Sequence, residues 1–160
     1  MRVEQIMTKD VQCCRPDDSL ELATQMMWDH DCGCLPVCTD NGEKRVVGML
    51  TDRDIALCAL FEGMPLRDLR VSQAMAKELR TCLPSQSLAD AEKIMSDGKV
   101  RRLPVLDKQQ GLVGIISLAD LAQEAAREQT TSSKNITDGD VSNTLAAICT
   151  SHATGMSASA

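Results

Sequence analysis

Aromatic side chains are almost missing from this chain: its 160 residues include one Trp, Trp28, one Phe, Phe61, and no Tyr. The core must then be built from Leu, Ile, Val, Met and Ala, with nine Met as adaptable gap fillers. The same shortage removes the stacking platforms on which single-stranded nucleic acid is usually held. A net charge of −6 points the same way, because a phosphate backbone repels such a surface. Nucleic acid is therefore not an expected partner. No apolar run approaches bilayer length, so no membrane partner is expected either. The opening Met1-Arg2-Val3-Glu4-Gln5 has no apolar stretch of signal-peptide type, and the expected location is cytoplasmic. Histidine is scarce too. His30 and His152 lie in different parts of the chain, with no Ser/His/Asp or Cys/His arrangement around them. No catalytic residues are expected, and the chain is read as a non-enzyme.

What the chain does have is an internal repeat. A shift of 68 residues lays Val3 on Val71, Gln5 on Gln73, Met7 on Met75, Pro16 on Pro84 and Ser19-Leu20 on Ser87-Leu88. It also lays Ala23 on Ala91, Met27 on Met95 and Leu35-Pro36-Val37 on Leu103-Pro104-Val105. After a two-residue deletion in the second copy, Val47-Gly48 meets Val113-Gly114, Thr51 meets Ser117 and Asp54 meets Asp120.

Each copy reads alike. A short β run (11–14; 80–83) is closed by a proline that cannot continue a ladder. A helix follows, with Ser19 or Ser87 as N-cap and apolar residues at helical spacing. Then come a strand (35–38; 103–106), a polar turn and a second strand (46–50; 112–116), forming a hairpin. A second helix (52–61; 118–127) completes a βαββα unit. One such unit has too few strands and too little core to stand alone, so two must pack as a pseudo-twofold pair. The expected class is α/β (α+β), with motif 1 over 1–62, a linker over 63–70 marked by Gly63 and Pro65, and motif 2 over 71–127. Residues 128–160 read as a polar Ser/Thr-rich linker, a short helix carrying Val141, Leu145 and Ile148, and a frayed tail from 151. That helix either covers the pair's own core or contacts a second subunit.

The residues with chemistry lie where the second strand hands over to the last helix, as Val-Gly-φ-φ-Thr/Ser-x-x-Asp. They are Thr51 and Asp54 in one copy, Ser117 and Asp120 in the other. A hydroxyl at a helix start sits beside unpaired backbone N–H groups, which suits an anion. An Asp three residues on lies on the same side and can accept from both hydroxyls of a ribose, at about 1.5–3 kcal/mol for each such charge-assisted bond. The plainer alternative is that the hydroxyls are N-caps and the aspartates only favour the positive helix end.

The repeat, the Leu-Pro-Val strands and the Gly-x-x-Thr/Ser-x-x-Asp endings resemble paired cystathionine β-synthase-type (CBS) domains over about residues 3 to 125. Thr51-Asp52-Arg53-Asp54-Ile55 and Val100-Arg101-Arg102-Leu103-Pro104-Val105 are typical segments. The chain looks most like stand-alone bacterial pairs of the hypoxic response type. The resemblance implies a regulatory module, usually a homodimer, that senses AMP, ADP, ATP or S-adenosylmethionine, requires no cofactor for catalysis, and acts on a regulated protein that is unknown. It also implies two clefts. One joins Thr8, Lys9, Asp10 and Val11 to Ser117 and Asp120, with Arg101 and Arg102 as phosphate anchors. The other joins Ala76, Lys77 and Leu79 to Thr51 and Asp54, where Gly33 and Cys34 replace the arginines and Arg53 or Lys77 compensates. Surface ion pairing at a solvated strand end is the rival reading of the arginines.

Eight cysteines at irregular spacings read mostly as small buried thiols. The cluster His30-Asp31-Cys32-Gly33-Cys34 with Cys38 lacks a second ligand pair, so no metal is expected. Cys13 and Cys38 fall on the first two strands of one copy, which should run parallel and adjacent. They are a candidate redox pair, with two buried neighbouring thiols as the alternative. A nucleotide-independent dimeric adaptor or stress-response protein with thiol sensing is accordingly the second functional reading.

Overall fold

In each copy the first helix starts at its serine cap. The Ser19 hydroxyl accepts from the Leu22 amide at α1 (Leu20–Asp29). In the computed structural model, which describes residues 1–40, 44–129 and 134–150, the repeat is preserved element by element. The hairpin of copy one is β1 (Cys34–Asp40) with β2 (Lys44–Thr51), and α2 (Asp52–Glu62) closes the unit. A single turn of helix, α3 (Val71–Ala74), opens copy two. Ser87 caps α4 (Leu88–Gly98), β3 (Arg102–Leu106) pairs with β4 (Leu112–Ser117), and α5 (Leu118–Glu128) follows. Both hairpins shift register at the same place, between Val37 and Cys38 and between Val105 and Leu106. The fold is therefore the mixed α/β pair of βαββα units expected from the repeat. The turn residues 41–43, the linker residues 130–133 and the tail 151–160, with His152, lie outside the described residues.

The first β runs are a correction. Residues 11–14 and 80–83 are not strands; each makes one parallel bridge, Cys14 to Val37 and Cys82 to Val105. Pro16 and Pro84 stop the ladder on one side. On the other side the chain is already committed elsewhere. Thr8 exchanges two backbone hydrogen bonds of 2.9 Å with Ile115 of the other copy, and Ala76 exchanges bonds of 2.8 and 3.0 Å with Met49.

This crossing runs through both cores. Val3 is buried with Leu88, Leu103, Ile116 and Leu121 of copy two. Leu69 and Val71 are buried with Leu20, Leu35 and Leu50 of copy one. The connection 63–70 thus carries a core residue, Leu69, whose carbonyl accepts from the Leu20 amide at 2.9 Å. A third, smaller cluster of Cys38, Val46 and Leu106 packs the hairpins together, with Cys13, Leu79 and Leu112 against it. No aromatic enters any of these clusters: Trp28 is 83% and Phe61 79% exposed.

The expected tail helix is α6 (Asp138–Cys149). It packs in cis on α4 and α5, with Val141 and Ile148 against the second core, while Leu145 stays exposed. Its entry is tied down by Glu128, whose carboxylate accepts from the Asn135 and Ile136 amides at 2.6 and 3.1 Å and from the Asn135 side chain. These bonds, the Asn135 side chain first, hold the Glu128 carboxyl below the usual carboxylate range. Across the helix, burial pushes Glu92 up, aided by the charge of Asp140 and opposed by a bond from the Thr144 hydroxyl.

Two outcomes are expected. A Cβ on Gly114 would sit 2.9 Å from the Thr8 carbonyl oxygen, and one on Gly48 would sit 3.1 Å from that of Ala76. Gly114→Ala should therefore cost about 1–3 kcal/mol in urea unfolding, as overpacking does, and more than Gly48→Ala; a cost within a few tenths for both refutes the close-approach argument. For α6, the two glutamates act in opposite senses. The Glu92 penalty is relieved as pH falls through its raised value, which favours docking. The Glu128 contribution is complete above the ordinary glutamate value, about 4.3, and is lost as pH falls through its lowered value. Backbone NMR of Ile136 and Thr144 should show docking strengthen and then fail on acidification, and Glu128→Gln should abolish the second phase.

Candidate ligand-binding clefts

Each crossing leaves a hollow beside it. Thr8 pairs with Ile115, and Ser117 is two residues further along β4, on the same face of the strand. Ala76 pairs with Met49, and Thr51 is two residues beyond. The first cleft, about 410 Å³, brings together Thr8, Asp10, Val11, Ser117 and Asp120 with Arg102. The second, about 440 Å³, brings together Ala76, Thr51, Arg53 and Asp54 with Arg101 and Arg102. Three expected residues are not among those lining these clefts. Lys9 and Lys77 are exposed, and Leu79 packs between the hairpins against the Cys38 cluster.

The third wall of each cleft differs from the expected assignment. The turn His30 to Cys34 of copy one faces Ser117 and Asp120, and Lys99 to Arg102 of copy two faces Thr51 and Asp54. Arg101 thus belongs to the second cleft, not the first. Arg102 stands opposite Ser117 in the hairpin register and borders both hollows, while Arg101, in the bend just before β3, lines the second. Asp31, Arg80 and Lys99 were missed, although 31 and 99 occupy one position of the repeat and both leave their helices in the left-handed region, at φ 48° and 50°. Gln12, His30, Asp52 and Glu78 were missed as well, and so was Ile148, delivered from α6.

The hydroxyl–carboxylate pairs form capping boxes. The Ser117 amide and hydroxyl each donate to Asp120 Oδ2 at 2.7 Å, and the Asp120 amide donates back to the Ser117 hydroxyl at 3.2 Å. Thr51 and Asp54 do the same at 2.9, 2.6 and 3.2 Å. Capping does not by itself mark a site, because Ser87–Asp90 and Thr137–Asp140 build the same box on open surface. What sets Asp54 and Asp120 apart is place. Both are half-buried at a cleft wall, and in both Oδ1 accepts no hydrogen bond among the described residues. Cap and ligand roles are therefore compatible: one oxygen fixes the carboxylate at the cleft wall, and the other makes no hydrogen bond among the described residues.

Two cations of the second cleft are held from behind by the end of α6. Lys99 Nζ donates to the Thr150 carbonyl at 3.0 Å, and the Arg101 guanidinium lies 4.0 Å from Cys149 Sγ. Cys34, between the clefts, is a buried thiol pushed up to about 11 by burial, with Arg102 partly opposing. Cys13 and Cys38 line one small hollow beside the Cys14–Val37 bridge and are thiols here. No group of three or more His, Cys, Asp or Glu among the described residues is placed to hold a metal.

Comparison with known proteins places these features in a family. The CBS domain matches residues 3–59 and again 71–127, and the chain belongs to the CBS-domain family as a tandem pair. It is 41% identical over 122 residues to the CBS domain-containing protein YhcV of Bacillus subtilis, covering 75% of this chain and 82% of that one. It is also 34% identical over 118 residues to Hypoxic response protein 1 of Mycobacterium tuberculosis, covering 74% and 80%. The crystal structure of Hypoxic Response Protein I with two coordinated zinc ions superposes with a TM-score of 0.69 at 32% identity, over 77% of this chain and 98% of that one. CBSX2 in complex with AMP superposes at 0.68 and 26% identity, over 79% and 96%.

Proposed function

We propose that this CBS pair is a regulatory module that binds an adenosine-containing ligand, AMP, ADP, ATP or S-adenosylmethionine, without reacting it. The observation that carries the reading is the open Oδ1 of Asp54 and of Asp120, each fixed by a capping box at the wall of a hollow of ligand size. A ribose diol presents two donors to such a carboxylate. The AMP complex of CBSX2, on the same fold, supports the choice of ligand class. Each hollow is walled by both copies, so an occupant that fits one spacing of the copies favours that spacing. The module is read as non-catalytic. A cytoplasmic location and a regulated partner protein complete the reading.

A homodimer belongs to this reading. α6 covers α4 and α5, whereas among the described residues no such helix lies on the equivalent pair α1 and α2, which expose Trp28, Leu57, Leu60 and Phe61. Leu60 and Phe61 are 71% and 79% exposed, an unusual display for a chain with two aromatics. The second reading, a thiol-sensing adaptor, rests on Cys13 and Cys38 sharing one hollow. Stability that follows redox potential and ignores nucleotide would favour it.

In a thermal-shift series, AMP, ADP, ATP or S-adenosylmethionine at about 100 times Kd should add about 2.7 kcal/mol of stability, which is several degrees in Tm. For each ligand that binds, Asp54→Ala or Asp120→Ala should reduce the ligand-induced shift, and the double variant should abolish it. Asp90→Ala removes the matching carboxylate of a capping box outside both clefts and should keep the full shift. No shift with any of the four ligands rejects the proposal. Light scattering should give twice the chain mass, and Leu60→Glu with Phe61→Glu should return it to the monomer; a monomeric wild type removes the dimer.

A further inference from the structure

We infer that the two clefts take ligands of opposite charge: the Thr51/Asp54 cleft a nucleoside polyphosphate, and the Ser117/Asp120 cleft an adenosine derivative without phosphates, neutral or cationic. The inference rests on the adenosine reading above and assigns a ligand class to each site. Volume does not separate the clefts, at about 440 and 410 Å³. Charge does. The second cleft is lined by five cations, Arg53, Arg80, Lys99, Arg101 and Arg102, against Asp52, Asp54 and Glu78. Arg80 and Glu78 pair with each other at 2.7 Å, which still leaves four cations facing two carboxylates. The first cleft has Arg102, which it shares, and the imidazole of His30 against Asp10, Asp31 and Asp120.

The difference arises at positions the repeat makes equivalent. Asp31 faces the first cleft where Lys99 faces the second, and Gly33 and Cys34 stand where Arg101 and Arg102 do. Gln12 likewise matches Arg80. The backbone is the same at the reversal, φ 48° at Asp31 and 50° at Lys99, so only the side-chain charge has changed. Exposed charges are screened, but a concave wall of one sign concentrates its field on an occupant. Guanidinium forks match phosphate oxygens in pairs, and Lys99 and Arg101 are steadied by the end of α6. A polyphosphate in the first cleft would meet Asp10 and Asp31 instead. A sulfonium or ammonium there meets carboxylates.

Calorimetry of the full chain with ATP, S-adenosylmethionine and inorganic tripolyphosphate tests this. The exchange Asp31→Lys with Lys99→Asp keeps a residue type already seen in each left-handed position, so it moves charge without a new backbone demand. ATP should lose about tenfold or more in affinity in Asp54→Ala and in the exchange, and stay within about twofold in Asp120→Ala. S-adenosylmethionine should lose about tenfold in Asp120→Ala and in the exchange, but not in Asp54→Ala. Tripolyphosphate, which has no ribose, should weaken about tenfold in the exchange and with added salt, and be indifferent to Asp120→Ala. ATP that follows Asp120, or affinities that ignore the exchange, overturn the inference. If neither adenosine ligand binds the wild type while tripolyphosphate still depends on Lys99, the adenosine reading fails and the polyanion site stands. If tripolyphosphate binding does not depend on Lys99, the polyanion site fails.

Discussion

The structure depends on a reciprocal exchange of short backbone segments. Thr8 pairs with Ile115 and Ala76 with Met49, so each copy lends its leading segment to the other's hairpin. A single βαββα unit cannot close its own core, and the exchange supplies what is missing: Val3 to one core, Leu69 and Val71 to the other. It requires close approach, which is why glycine stands at 48 and 114, where any Cβ would press on the crossing carbonyl. The same exchange makes the clefts. Each hollow exists because a segment from one copy lies beside the strand end of the other, so folding and binding geometry share one cause.

The four capping boxes show how little separates a structural motif from a site. Ser87–Asp90, Thr137–Asp140, Thr51–Asp54 and Ser117–Asp120 use the same hydrogen bonds for the same local purpose. At Asp90 and Asp140 the box lowers the carboxyl below its usual range, the hydroxyl bond being the main cause, and the surroundings are solvent. At Asp54 and Asp120 the surroundings are walls from both copies. Chemistry of the motif is constant; the exchange of segments decides which two boxes look into a hollow.

Much of this was legible in the sequence, because the signals were local and duplicated. Serine caps, Leu-Pro-Val strands, the Thr/Ser-x-x-Asp handover and the tail helix with Val141 and Ile148 all formed where spacing placed them. The failures were non-local. Residues 11–14 and 80–83 had strand composition, but the preceding chain was drawn to the opposite hairpin and left one bridge each. Leu69 sat between Gly63 and the next copy with no periodic partner, so nothing local marked it as core. Arg101 and Arg102 read as one anchor pair, whereas Arg102 borders both clefts and Arg101 the second. The charge of Asp31 and Lys99 carried no local signal, since its meaning depends on which hollow each turn faces.

Duplication preserves backbone and frees side chains, and α6 shows where the halves have parted. It covers the helices of copy two, and among the described residues no such helix lies on α1 and α2, which expose Trp28, Leu57, Leu60 and Phe61. The same asymmetry reaches the clefts. The turn carrying Lys99 and Arg101 lies between the second cleft and the end of α6. Its equivalent, carrying Asp31 and Gly33, lies between the first cleft and a groove that holds Trp28. The turn of copy two thus borders the tail helix, and the turn of copy one borders the exposed face of α1. Two hollows built by one symmetric exchange are thus connected to two different neighbours.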